Sequence, residues 1–295
     1  MTNVRIAVLG LGTMGGRSAA ACVEAGFDVT GFDPSQAARD QAAQAGVRTF
    51  DHGRDALGGA GVVLISVPRP EHVDELVRDV LVHADERTIV ADLSTIDPET
   101  ARAAATTLAG HGVQYVDAPV LGRPDKCGQW TLVAGGPTEP ISQITPVLEA
   151  TVAKAVLRVG DTGAGSVVKI VNNLMFGAIN AITAEALTLV AHNDVDPKVF
   201  IDAVAGSGAA TVSNLFKEIA PRMAAGDDEP AFALDLLAKD NRLALDLAAA
   251  SGSPAPLAHV IDQVNTAGLQ QGLGSRDSGA LYRAYASLPA AAGAQ

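Results

Sequence analysis

One apolar stretch carries residues of the types and spacing that chemistry needs: Lys169, Asn172, Asn173, Asn180 and Thr183. Gly163 and Gly165 stand at its mouth and apolar residues dominate through Val190, which reads as a long, buried helix. At about 100° per residue the five polar positions fall in one stripe roughly 100° wide, with Glu185 on the other side. Lys169 and Asn173 are four apart, so their side chains share a face. A buried amine beside a run of amides is costly unless something uses it. Lysine holds and releases a proton. It is a poor base at its reference pKa of about 10.4, but burial and a neighbouring cation favour its neutral form. The stripe therefore reads as the lining of an active site, against the plainer reading of a polar edge on a core helix.

A second set of residues sits at the start of the chain. Val4 to Leu9 is a short apolar run, followed at once by Gly10, Leu11, Gly12, Thr13, Met14 and Gly15. An alanine-rich helical stretch runs from about Met14 to Ala25, Gly26 ends it, and Phe27 to Phe32 returns as a strand closed by Asp33. Strand, GxGxxG, helix, strand and acid is the order a dinucleotide site requires. Gly10 permits the tight turn, Gly12 lets backbone approach a pyrophosphate, and Gly15 lets the helix sit close to its strand. The helix N-terminus then offers free N–H groups to the phosphates. Asp33 is placed to accept hydrogen bonds from ribose hydroxyls, and a carboxylate there repels a 2′-phosphate. Arg39, six residues on, is a weak competing signal. NAD is favoured over NADP.

Alternating strands and amphipathic helices follow, as in a mostly parallel sheet. Strands are expected at Val62–Val67, Thr88–Leu93, Val113–Val116, Trp130–Ala134 and Ala155–Val159. Helices are expected from Pro70 to about Val82, from the Asp97-Pro98-Glu99 cap, and from about Thr138 to Ala150. Ligands of such sheets sit at the carboxyl ends of the strands. Val67-Pro68, Ser94-Thr95 and Ala118-Pro119-Val120 fall there. Alternation stops near Gly160, and helices are expected at about 164–192, 197–205, 211–220, 231–250, 256–271 and 276–287. The expected fold is an α/β Rossmann domain over 1–161 followed by an all-helical domain over 162–295, built on a long central helix.

Composition narrows the function. The chain has 295 residues, 48% of them hydrophobic, with a net charge of −12 and no basic block, which disfavours nucleic acid. Cys22 and Cys127 lack metal or disulfide spacing and the six histidines show no metal motif, so no metal site is expected. The N-terminus lacks a signal-peptide pattern and no unbroken apolar run reaches membrane-spanning length. A soluble, cytoplasmic protein without a membrane partner is the expectation.

Taken together, the chain resembles the β-hydroxyacid dehydrogenase family, whose members include 3-hydroxyisobutyrate dehydrogenase and tartronate semialdehyde reductase. The resemblance covers nearly the whole chain and rests on ordered motifs. They are Gly10-Leu11-Gly12-Thr13-Met14-Gly15, Asp92-Leu93-Ser94-Thr95, Asp117-Ala118-Pro119-Val120-Leu121-Gly122, and Gly165 through Lys169 to Asn172-Asn173, with Lys239-Asp240 later. It implies Lys169 as proton donor or acceptor at the substrate oxygen and Asn173 as the residue that orients substrate. It implies substrate contact at Ser94 and a nicotinamide contact at Thr95. Gly122 would lie in a loop that cradles the substrate carboxylate, and Lys239, steadied by Asp240, would reach the cofactor. It further implies homodimers or homotetramers, and a small anionic hydroxy-acid or semialdehyde substrate.

The chain departs from the family's Asp-Ala-Pro-Val-Ser-Gly-Gly loop at Leu121, which removes a hydroxyl, and at Arg123, which adds a cation able to grip carboxylate or sulfonate. A solvated loop charge is the alternative reading of Arg123. The expected reaction is reversible oxidation of a small β-hydroxy acid. Its rivals are an NADPH-dependent aldehyde or imine reductase and a nicotinamide-binding module without turnover.

Overall fold

The computed structural model of the chain describes residues 4–208 and 211–286. They form two compact units, Met1–Ile170 and Val171–Gln295.

In the first unit β1 (Arg5–Leu9), β2 (Val29–Phe32), β3 (Arg48–Phe50), β4 (Ala60–Ile65), β5 (Ile89–Asp92) and β6 (Gln114–Asp117) lie parallel in the order β3-β2-β1-β4-β5-β6. The sheet continues through β8 (Trp130–Gly135), antiparallel to β6 and to the short β7 (Val120–Leu121) and parallel to β9 (Ala153–Gly160). Helices α1 (Thr13–Glu24), α2 (Gln36–Gln44), α3 (Gly53–Ala56), α4 (Pro70–Asp79), α5 (Pro98–Ala109) and α6 (Thr138–Thr151) connect the strands. Alternate residues of the central strands feed two separate cores. Ile6, Val8, Val62 and Leu64 join one, and Ala7, Leu9, Val63 and Ile65 the other. Both faces are thus covered, which explains the unbroken apolar runs of β1 and β4. The order reverses between β1 and β4, the kind of crevice where such sheets bind ligands. The sequence reading had no helix at α2 and no strand at β3. Arg48, Thr49 and Phe50 make an edge strand only half covered, too short and too polar to show a pattern.

The second unit is helical. It takes up α7 (Ala164–Ala191) from Val171 onward and adds α8 (Pro197–Ser207), α9 (Asn214–Ala225), α10 (Leu234–Ser251), α11 (Pro256–Gln270) and α12 (Leu281–Ala286). Asp196 and Ser213 cap α8 and α9 with their side chains, and Gly208, Gly226 and Gly252 end α8, α9 and α10 in the left-handed conformation. Ala184, Leu187, Phe216, Ile219, Leu234 and Leu281 belong to its core. Position 287, expected to end the last helix, lies outside the described residues.

The expectation that α7 is buried all round is corrected. Asn173, Asn180 and Thr183 are buried, but Lys169 is half-buried and Asn172 is exposed at the edge of the stripe. On the opposite side Val171, Met175, Ile182 and Leu189 are exposed, Leu189 to 63%. The reason is geometric: the chain covers one arc of the cylinder, and these four recur on the arc facing away from it. By length and composition alone α7 is also apolar enough to cross a membrane.

Candidate active site

The glycine loop is shaped by close backbone approach. Gly10 has φ +90°, and a Cβ there would lie 2.2 Å from the Ser66 carbonyl oxygen. A Cβ on Gly15 would lie 1.9 Å from the Gly10 carbonyl oxygen, so α1 packs against the loop only because this position is bare. Around Gly12 there is open space, with nothing within 4 Å of a built Cβ. Gly12 is the N-cap of α1 and supplies no side-chain cap, so the first-turn N–H groups gain no such partner. A tight turn, an open glycine and an uncapped helix start fit a dinucleotide pyrophosphate. Gly12 and Thr13 are exposed and Met14 half-buried, whereas the Leu11 side chain belongs to the core.

Asp33 follows the end of β2. Its Oδ2 accepts the Leu11 backbone N–H at 2.7 Å and its Oδ1 accepts that of Ser35 at 2.8 Å. The acid is thereby tied to the glycine loop. Arg39 is engaged elsewhere: it donates to the Asp33 carbonyl at 2.7 Å, to the Pro34 carbonyl at 3.2 Å and to Gln36 Oε1 at 2.5 Å. It also pairs with Asp51 at 2.9 Å, with its own side chain only 11% exposed.

The next loops meet at the ends of β4, β5 and β6. Val67 and Pro68 follow β4, and the Val67 backbone N–H donates to Ser94 Oγ at 3.0 Å. The Ser94 backbone N–H donates to Asp92 Oδ1 at 2.8 Å, and Tyr115 Oη donates to Asp92 Oδ2 at 2.7 Å. Thr95 beside them is half-buried. Burial lifts the Asp92 carboxyl above its ordinary value, against the hydrogen bonds from Ser94 and Tyr115. Burial and the adjacent carboxylate push the Tyr115 phenol well up as well. Asp117 stands beside Asp92 on β6. It accepts the Gly163 N–H at 2.8 Å on Oδ1 and the Ser166 N–H at 2.9 Å on Oδ2. Its carboxylate thus caps the start of α7, the helix that presents Lys169. Burial raises Asp117 to about 6.

Beyond Asp117, Leu121 and Arg123 are half-buried and Gly122 lies between them. A Cβ on Gly122 would come within 2.4 Å of the Trp130 ring, and Trp130 Nε1 donates to the Arg123 carbonyl at 2.7 Å. The ring fixes this loop's backbone.

Within the second unit, Asn173 Nδ2 donates to Asp240 Oδ2 at 2.6 Å, and Lys239 Nζ pairs with Asp240 Oδ1 at 2.7 Å. Asn172 Nδ2 donates to Asn173 Oδ1 at 3.1 Å. Both Asn173 and Asp240 are buried.

The first unit therefore gathers Gly10–Gly15 with Asp33, and Val67 with Ser94. It presents Lys169 from a helix anchored on Asp117. Sequence reasoning missed the Tyr115–Asp92 pair and the capping role of Asp117. The available signal was that β5 and β6 each end in aspartate at matching register, with a tyrosine two residues before the second.

Residues 5–160 match the NAD binding domain of 6-phosphogluconate dehydrogenase, and residues 163–285 match the NAD-binding domain of NADP-dependent 3-hydroxyisobutyrate dehydrogenase. The chain is 35% identical over 262 residues to the 3-hydroxyisobutyrate dehydrogenase of Pseudomonas aeruginosa, covering 85% of this chain and 88% of that protein. It is 32% identical over 291 residues to the NAD-dependent L-serine dehydrogenase of the same organism, covering 95% and 97%. A crystal structure of 3-hydroxyisobutyrate dehydrogenase from Salmonella typhimurium superposes with a TM-score of 0.88 at 31% identity, covering 95% of this chain and 99% of that one.

Proposed function

Because the chain belongs to the β-hydroxyacid dehydrogenase family, we propose that it interconverts a small β-hydroxy acid and its semialdehyde or keto acid, with Lys169 as general acid and base. It is an NAD(P)-dependent dehydrogenase acting on CH–OH groups. The substrates in the two relatives' names, 3-hydroxyisobutyrate and L-serine, share a hydroxyl β to a carboxylate. That shared chemistry supports the substrate class.

A nicotinamide cofactor with its pyrophosphate at the glycine loop would supply the acceptor for the hydrogen that leaves carbon with its electron pair. The substrate hydroxyl must shed its proton in the same step, and Lys169 Nζ takes it. In the reverse direction Lys169 returns the proton to the carbonyl oxygen. The observation that carries this reading is the Asp117 cap, which fixes the first turn of α7 and with it the backbone from which Lys169 projects. Ser94 is assigned to the substrate, Thr95, Val67 and Pro68 to the nicotinamide end, and Gly10–Gly15 with Asp33 to the rest of the cofactor. Asn173 is assigned to orienting the substrate and Lys239 to the cofactor. Leu121, Gly122 and Arg123 are assigned to the substrate carboxylate, the guanidinium taking the place of a lost hydroxyl. NAD is the favoured cofactor, because Asp33 carries negative charge and Arg39 is already held by Asp51 and three other acceptors.

In functional terms we divide the chain at 161/162, where strand and helix cease to alternate. We further propose a cytoplasmic homodimer or homotetramer in which a second copy covers Val171, Met175, Ile182 and Leu189.

The test follows nicotinamide absorbance for wild type and Lys169→Ala, with NAD and NADP, on 3-hydroxyisobutyrate, L-serine and short semialdehydes. Turnover with NAD that falls by about 10²–10⁴-fold in the variant, with NADH still bound, is the expected result. Turnover confined to imines or aldehydes with NADPH, or cofactor binding without turnover, would overturn it.

A further inference from the structure

Tyr115 and Asp92 form a buried pair that the reaction above does not use. Asp92 is 1% exposed and Tyr115 4%. Hydrogen bonds reach its carboxylate from the phenol on one oxygen and from the Ser94 N–H on the other. Its own carbonyl accepts the Ala118 N–H at 2.8 Å, which locks it to the end of β6. A buried carboxylate is costly, and apolar side chains of similar size would pack there at less cost. The cost has one visible product. From β6 the contacts run through Tyr115 to Asp92, then to the Ser94 backbone, and from Ser94 Oγ to the Val67 N–H at the end of β4. Three strand ends are thereby tied together, and Ser94 Oγ is placed by its neighbours on both sides.

We propose that Tyr115, acting through Asp92, is a positioning residue for Ser94: the phenol–carboxylate contact sets the Ser94 backbone, so that the hydroxyl faces substrate at a fixed point. The proposal rests on the reading of Ser94 as a substrate contact. Neither Tyr115 nor Asp92 touches substrate itself. Removing the phenol oxygen leaves the carboxylate with one donor fewer and frees the Ser94 turn to shift. A shift of a fraction of an ångström at a contact group is felt in turnover more than in binding of a remote cofactor.

The experiment is a double-mutant cycle in the full-length protein with Tyr115→Phe, Ser94→Ala and both together. It is read as kcat/KM on 3-hydroxyisobutyrate and L-serine with NAD, beside the Kd for NADH. The expected results are a loss of about 100-fold for Ser94→Ala and about 10-fold for Tyr115→Phe, with the double variant no worse than Ser94→Ala alone. NADH affinity stays within about twofold throughout. Losses that multiply would show that Tyr115 does not act through Ser94 and would overturn the proposal. A Ser94→Ala variant with full activity would overturn the Ser94 reading and the proposal with it, and that single arm identifies which has failed.

Hydrogen exchange gives a readout independent of substrate. Tyr115→Phe speeds exchange of the Ser94 and Val67 amides by about tenfold or more while the β1 amides keep their protection. Unchanged exchange at Ser94 and Val67 would overturn the proposal even if turnover fell.

Discussion

Asp117 accepts the Ser166 backbone N–H at 2.9 Å, so an acid at the end of β6 caps a helix that begins about fifty residues later in the chain. Its other oxygen takes the Gly163 N–H. Gly135 and Gly165 leave room for the carboxylate, since a Cβ on either would come within 2.9 Å of one of its oxygens. Two N–H groups that a helix start leaves unpaired are thus satisfied in a buried place, and the turn before Lys169 is fixed.

Burial of this carboxyl, against the pull of the two N–H groups, makes stability depend on pH. The Asp117 carboxyl titrates at about 6 in the folded chain against 3.8 as its ordinary value. Between those values the folded state holds the proton more tightly, so the group's contribution is fully present below about pH 3.8 and is lost as pH rises through about 6. Asp117→Asn abolishes that dependence. From pH 5 to pH 8 wild type loses about 1 kcal/mol relative to Asp117→Asn in urea unfolding. A constant gap between the two proteins would place the titration of Asp117 elsewhere.

The glycines of the first loop separate folding from binding. Gly15→Ala puts a methyl 1.9 Å from a backbone oxygen, which forces α1 away from β1. The expected cost is about 3 kcal/mol, read as a fall in denaturation midpoint. Gly12→Ala meets nothing within 4 Å and lies in extended backbone, so stability changes by less than about 1 kcal/mol. NADH affinity nevertheless drops about tenfold or more, because the methyl occupies the space a pyrophosphate needs. Wild-type affinity in Gly12→Ala would remove the phosphate reading from this loop.

In the second unit Asp240 serves two partners, Asn173 at 2.6 Å and Lys239 at 2.7 Å. Asp240→Ala takes an acceptor from a buried amide and a carboxylate from a side chain only 13% exposed. The expected loss is about 2–3 kcal/mol. Asp240→Asn keeps an acceptor for Asn173 and gives up the ion pair alone, so it loses less. Equal losses in the two variants would show that the hydrogen bond to Asn173 contributes little.

Much of this was legible in the sequence because the physics there is local. Gly10, Gly12 and Gly15 announce their turn by spacing, and the apolar runs of β1 and β4 announce strands covered on both faces. What was not legible depends on contacts between distant positions. Tyr115 and Asp92 are separated by 23 residues, and nothing local in either says that they meet. The same holds for Asp117 and the start of α7. Lys169, the residue the sequence singled out first, was expected in a wholly buried helix. Hydropathy reports how apolar a helix is and not how much of it the chain covers, so the exposed arc through Met175 and Ile182 was invisible. The edge strand β3 was missed for the opposite reason, its half-covered position leaving no periodic pattern to read.

The choice between NAD and NADP turns on Asp33 and Arg39 together. Asp33 offers a carboxylate beyond β2, and its two oxygens each take one backbone N–H while keeping acceptor capacity for ribose hydroxyls. Arg39 is the nearby cation, but its guanidinium is spread over the Asp33 and Pro34 carbonyls, Gln36 and Asp51. Removing the acid alone therefore does not create a phosphate site. Asp33→Ala weakens NAD binding about tenfold, since two ribose contacts go, and relieves the repulsion of a 2′-phosphate without supplying a grip on it. The ratio of kcat/KM for NAD over NADP then narrows chiefly because NAD is lost. Asp33→Ala with Asp51→Ala releases one arm of Arg39, and NADP turnover rises over the single variant by about fivefold. Steady-state kinetics with both cofactors check each step. A large gain of NADP turnover in Asp33→Ala alone would mean that Arg39, despite its four acceptors, is free to bind phosphate.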